Sequence, residues 1–313
     1  MKSLTYRFWK HLSKQTYASP FVCKLHQRLS EKLIKEGRIS SFYPLIVKKA
    51  YKPNFHEIEL SYKKFFSLQL YENVLKTLII GSSHGFYGYR AEESLHEINA
   101  CEPSQDLYYS YEIYKKYADA PRLKNIVLFY SVFSPGSLLE LSCHNHLCDS
   151  YKFIYGIPYR FTNECEREKI RSVYTSFIVK IKNHPDFHYV GNVQKPVFFP
   201  LDAEKRAKEH LKGNKRNENQ TFYVEKAAKL AREKGHNLYV VIPPAHSDYI
   251  KNLPPFEELF AELLKLKDNV KILSFFGDDR FTDADLGDTD HLNEQGAKKL
   301  ADIVRDIMDK SSP

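Results

Sequence analysis

The run Leu78-Ile79-Ile80-Gly81-Ser82-Ser83-His84-Gly85 constrains this chain more than any other stretch. Three apolar residues end abruptly in a turn of small residues. A short, fully apolar run of this kind reads as a parallel strand buried on both faces, running into a tight loop. Gly81 permits a backbone turn that a side chain would block, and the turn leaves Ser83 displayed at the strand's carboxyl end. Asn125-Ile126-Val127-Leu128-Phe129-Tyr130, Asn237-Leu238-Tyr239-Val240-Val241-Ile242 and Val270-Lys271-Ile272-Leu273-Ser274-Phe275 are runs of the same kind. Helical patterns lie between them: Leu107 to Tyr117, a run from Phe222 stopped by Gly235, Phe256 to Leu266, and a last amphipathic run through Ala297, Leu300, Ala301, Val304, Ile307 and Met308. Strands alternating with helices mean βαβ units, hence an α/β domain with a doubly wound, mostly parallel sheet flanked by helices.

A Gly-Ser-Ser turn after a strand is ordinary punctuation when taken alone. About two hundred residues later the chain reads Asp288-Thr289-Asp290-His291, just ahead of the last helical run. A serine hydroxyl is a poor nucleophile until a histidine takes its proton, and that histidine needs a carboxylate to hold its tautomer. Ser83, His291 and Asp288 supply the three parts. In this order the two blocks resemble those of the SGNH (GDSL-type) hydrolase and acyltransferase superfamily. Gly81-Ser82-Ser83 matches its nucleophile block and Asp288 to His291 its Asp-x-x-His block, and the two bracket roughly two thirds of the chain.

The resemblance implies a three-layer, flavodoxin-like fold, an acyl-Ser83 intermediate and an oxyanion hole built from later loops. The superfamily's second-block Gly falls on Ser104, which offers the same backbone N–H. The third block, Gly-x-Asn-Asp, falls on Ser131-Val132-Phe133-Ser134-Pro135-Gly136, where there is no Asn; either Ser134, or backbone groups together with Gln105, takes its place. His246, in the loop after the third of the apolar runs above, either faces the cleft or is bonded locally.

Some superfamily members are esterases and others O-acyltransferases, among which the Gly-Ser-Ser variant occurs. The missing Asp of the first block and Asn of the third favour an O-acetyltransferase acting on a bacterial cell-surface polysaccharide or glycolipid. An esterase that deacetylates glycans is the alternative, and a non-catalytic glycan-binding scaffold the second. No tightly bound cofactor is expected, and acetyl-CoA is the natural cytosolic acyl donor. A nucleotide-sugar transferase would need a Gly-x-Gly-x-x-Gly or an Asp-x-Asp at a strand end; Asp283-Ala284-Asp285 lies instead in a charged loop.

The net charge of +8 is unevenly placed. Residues 1–76 hold 15 Lys and Arg against 5 Asp and Glu, so the rest is close to neutral. A basic end on a neutral body points to an anionic membrane or polyanion rather than nucleic acid, for which no aromatic-basic or zinc-finger motif is present. Residues 1–73 read as a basic, helical N-terminal extension and 74–313 as the SGNH-like domain. Within it, residues 149–217 read as an irregular insertion, its stretch from Glu204 to Asn219 charged and solvated; His184, His188 and His210 show no site spacing. Cys143-His144-Asn145-His146-Leu147-Cys148 has zinc-ligand types but no second pair, and no metal is expected. Five cysteines, no apolar leader and no run of membrane-spanning length predict reduced thiols and a cytoplasmic protein.

Overall fold

The computed structural model describes residues 55–142, 144–162, 171, 175, 191–192 and 202–310. The chain divides into two compact units, one of Lys63–Ser137 and His188–Pro313, the other of Met1–Tyr62 and Leu138–Phe187. Most of the basic extension, Cys23, Cys143, Cys165, His184 and His188 lie outside the described residues.

The first unit is an α/β fold around one five-stranded, all-parallel open sheet. Its strands are β1 (Thr77–Gly81), β2 (Glu97–Asn99), β3 (Asn125–Phe129), β4 (Asn237–Ile242) and β5 (Lys271–Ser274), in spatial order β2-β1-β3-β4-β5. β1 and β3 pair in register from Thr77 opposite Asn125 to Gly81 opposite Phe129. The apolar runs of β1, β3 and β4 are almost wholly buried, as strands covered on both faces require.

Helices connect the strands: α1 (Phe55–Tyr71), whose second half belongs to this unit, α2 (Ser83–Gly88), α3 (Leu107–Tyr117), α4 (Ala203–Arg216), α5 (Phe222–Lys234) and α6 (Glu294–Lys310). Each has a local cause. Asp106 and Asp202 accept hydrogen bonds from the third residue beyond them and cap α3 and α4. Gly235 closes α5 in a left-handed conformation. α6 buries Ala297, Leu300, Ala301, Val304 and Met308, one apolar stripe at helical spacing.

The stretch before β1 is the end of a 17-residue helix, with Lys64 and Leu68 buried. Two expectations need correction. Phe256 to Leu266 breaks at Phe260 into two single turns. Residues 203–216, placed in an irregular, solvated insertion, form the regular helix α4. Its inward face is Arg206, Ala207 and His210, with Asn214 two turns on. That face is polar, so it shows none of the apolar periodicity by which a packed helix is recognised.

In the second unit, Leu147–Ser150 and Tyr151–Tyr155 form consecutive helical turns, closed by Gly156 in a left-handed conformation. The buried Glu140 carboxylate there accepts hydrogen bonds from the backbone N–H groups of Arg160, Phe161 and Thr162. Cys101 is a buried free thiol, and Cys148 is buried. Among the described residues no helix is long and apolar enough to cross a membrane.

Candidate active site

In a parallel sheet of order 2-1-3-4-5 the chain reverses its direction of winding between β1 and β3, and a crevice opens at their carboxyl ends. Gly81 ends β1 there with φ +137°; a Cβ on it would stand 2.8 Å from the Phe129 Cβ of β3. The chain then turns into α2, with Ser83 as its first residue. Gly85 lets this helix lie directly on the sheet end, since a Cβ would meet Cys101 Sγ at 2.5 Å and Phe129 Cδ2 at 2.7 Å. The buried Asn99, the last residue of β2, locks α2 from its other end by donating to the carbonyls of Gly85 and Tyr89.

His291 arrives on the loop before α6, and that loop is stapled throughout. Leu286 bridges Leu292, Gly287 N–H donates to His291 O, and Asn293 Nδ2 donates to Ala284 O. The reason for the Asp-x-x-His spacing is local. Asp288 Oδ1 accepts the backbone N–H groups of Asp290 (3.0 Å) and His291 (2.8 Å), a turn that brings the carboxylate beneath the ring of the residue three positions on.

Ser83 Oγ lies 2.8 Å from His291 Nε2, and His291 Nδ1 lies 3.0 and 3.1 Å from the two oxygens of Asp288. An ionised carboxylate only accepts, so Nδ1 carries the hydrogen and Nε2 offers its lone pair to the Ser83 hydroxyl. This is the geometry a general base and its nucleophile need. The side chains of His291 and Asp288 are 6% and 4% exposed, while Ser83 is half-buried and open to a reactant.

Of the weaker candidates, Ser104 stands in the left-handed region at φ 58°, the conformation glycine adopts without cost, at the position where the resemblance has a Gly. The Gln105 amide is turned into the α3 turn, donating to Ser110 Oγ. Ser134 Oγ accepts the Ser131 N–H in the loop after β3. His246 is not brought to Ser83. Its Nδ1 accepts from Asp248 N–H, its Nε2 lies 3.1 Å from Asp283, and only its backbone N–H reaches the site loop, at Thr289 O.

Four residues of the site escaped sequence reasoning: His84, Arg206, His210 and Asp290. The His84 ring is stacked on His291, centroids 4.5 Å apart and planes 19° from parallel. Its Nε2 faces Asp290 Oδ2 at 3.2 Å and its Nδ1 faces Ser131 Oγ at 2.7 Å. Arg206 grips Asp290 through Nε (3.0 Å) and Nη2 (3.1 Å). His210, one helical turn along α4, bonds Tyr249 OH at 2.6 Å and lies 4.0 Å from Asp290. Their signals were faint: His84 adjoins the nucleophile block, Asp290 stands inside the Asp-x-x-His block, and Arg206 and His210 are i, i+4.

Burial holds His84 neutral, with a pKa lowered to about 4, the proximity of His291 assisting. Burial likewise lowers His210 to about 3 against the pull of Asp290. Burial pushes the Asp290 carboxyl up, but His291, the His84 hydrogen bond and Arg206 overrule it and keep it ionised.

His84, Asp290 and His291 offer three ligand atoms close enough to share a cation. Those atoms are engaged: both Asp290 oxygens accept from Arg206 and His291 Nδ1 donates to Asp288. A cation would have to displace a guanidinium already neutralising the same carboxylate, so the donor set does not suit a metal. No protein-family model matches the chain, and no curated protein matches it in sequence.

Proposed function

We propose that this chain is a serine-dependent acyl-ester enzyme of the SGNH type, an O-acetyltransferase that modifies a bacterial cell-surface polysaccharide. The observation that carries the reading is the unbroken hydrogen-bond chain from Ser83 through His291 to Asp288 at the carboxyl edge of the sheet. In this reading His291 Nε2 takes the Ser83 proton as Oγ attacks the acetyl carbonyl of the donor. The tetrahedral oxyanion is held by the backbone N–H groups of Ser83 and Ser104. The donor's thiol or alcohol leaves with the proton from His291, and acetyl-Ser83 remains. An acceptor hydroxyl then gives its proton to His291, attacks the ester and departs acetylated, restoring Ser83. With acetyl-CoA as donor the bond broken first is the thioester C–S bond.

The test combines labelling and product analysis. A fluorophosphonate should modify Ser83, with fluoride as leaving group, and Ser83→Ala or His291→Ala should abolish the labelling. Intact mass after incubation with acetyl-CoA should then show one added acetyl group, discharged faster when an acetyl-free bacterial polysaccharide is supplied. Labelling that survives Ser83→Ala would overturn the reading. Rapid acetate release from acetylated glycan, with no transfer from donor to acceptor, would make the same serine that of an esterase.

A further inference from the structure

Asp290 is 1% exposed, and burying a carboxylate costs several kcal/mol before its partners repay it. Its partners come from every element around it. Arg206 and His210 reach it from α4, His84 from α2 and Thr289 Oγ1 from its own loop, while Tyr249 bonds His210 behind them. These donors hold both oxygens in place, and one further group faces them. Asp290 Oδ1 lies 3.7 Å from His291 Nδ1, beyond hydrogen-bond length and on the side of the ring already facing Asp288.

Building on the reading of Ser83 and His291 above, we propose that Asp290 is a positioning residue, a second carboxylate that stabilises the imidazolium formed when His291 takes the Ser83 proton. Arg206 fixes the carboxylate and His84 carries its influence to the face of the ring. At 3.7 Å in a water-poor site, an anion acts far more strongly on a developing positive charge than it would in water. The stacked His84 suits the same purpose because it is neutral: a protonated ring 4.5 Å from His291 would repel the imidazolium. Tyr87 meets His291 edge-on and completes the enclosure of the ring.

A purely structural reading is that Asp290 exists to neutralise Arg206, and the two are separable by experiment on the full chain. The readout is the rate of Ser83 labelling by a fluorophosphonate across pH, with thermal stability measured alongside. Asp290→Asn removes an anion beside His291, so the imidazole becomes the weaker base. Labelling should slow about ten- to hundredfold on the plateau, and its acid limb should move to lower pH. Adding Arg206→Met removes the stranded cation. The double variant should recover thermal stability and still label at least about tenfold more slowly than the native chain. Should Asp290→Asn alone not fold, the double variant, which buries no unpaired charge, carries the test. A double variant that labels at the native rate with an unmoved acid limb would overturn the proposal and leave Asp290 as the partner of Arg206. Labelling that persists in Ser83→Ala would instead fail the functional reading itself, so the two failures are distinct.

Discussion

His84 and His291 lie face to face at 4.5 Å, and each ring bonds an aspartate of the same loop, Asp290 and Asp288 respectively. Two parallel histidine–aspartate pairs therefore stand side by side at the end of β1. Only one of them reaches an open hydroxyl, that of Ser83. The other ends on Ser131, which is 2% exposed, so its chain closes inside the protein. Under the function proposed above, the outer pair is the one that does chemistry and the inner pair holds it in place.

The buried histidines around Asp290 make stability fall with acid. Burial lowers the pKa of His84 to about 4 and that of His210 to about 3, below the ordinary histidine value of 6.5. Above pH 6.5 both states are neutral and stability is complete. As pH falls from 6.5 towards 4 the unfolded chain takes up protons that the folded chain refuses. The loss is on the order of 1.4 kcal/mol per pH unit for each ring. Below that, protonating Asp290, whose carboxyl is depressed, removes more in the same direction. Urea titrations at pH 7.5, 6 and 5 should show a falling midpoint at constant slope. A flat midpoint would mean that the rings are not neutral in the folded protein.

Asp288→Asn should preserve the fold and cost about 10³- to 10⁴-fold in turnover of p-nitrophenyl acetate. The Asn carbonyl still accepts the N–H groups of Asp290 and His291, so the turn survives. Its NH₂ cannot accept from Nδ1–H, so the imidazole is driven to the tautomer that turns an N–H, and no lone pair, towards Ser83. A loss under about tenfold would show that Asp288 does not set the tautomer.

Gly85→Ala tests whether α2 must lie on the sheet. The added methyl would stand 2.5 Å from Cys101 Sγ and 2.7 Å from Phe129, so the helix has to lift. About 1–3 kcal/mol of stability should go. Labelling of Ser83 should fall by about a hundredfold, since Ser83 moves with the helix. Circular dichroism melts and labelling rates measure the two effects separately, and native labelling would show that the site does not depend on that seat.

Asn99→Leu should be costly although Asn99 touches neither Ser83 nor His291. Its amide satisfies the carbonyls of Gly85 and Tyr89, and its Oδ1 accepts the Cys101 N–H, all buried. An apolar replacement strands these groups at about 1–3 kcal/mol each. A thermal midpoint within a degree or two of native would mean that water or a shifted α2 satisfies them.

The parts of this protein that a reader of the sequence alone could place are those whose cause is local. β1 and β3 announce themselves because strands buried on both faces are apolar without interruption, and Leu107–Tyr117 and Phe222–Lys234 because capping and periodicity act within a few residues. Asp288 and His291 belong to the same class, since their relation is one Asx-type turn of backbone. The place of Ser83 at a strand end follows from the strand before it and the glycine there, but only the later Asp-x-x-His block singled it out as a candidate nucleophile.

What the tertiary structure alone decided is which charges are buried. Arg206 and His210 sit in a run of charged residues that looks solvated, and nothing within that run says that one face of α4 turns inward. The answer comes from Asp290, eighty-four residues away, whose burial is tolerable only with a guanidinium and two imidazoles around it. His246 went the other way for the same reason: its loop lies at the correct edge of the sheet, yet its ring faces the carboxylates of Asp248 and Asp283, and only its backbone N–H meets the site loop. Apolar burial is written along the chain as a period, because each residue meets the same low-dielectric surroundings whatever its partner. Polar burial is written in pairs, and a pair becomes visible only when the fold has brought both members together.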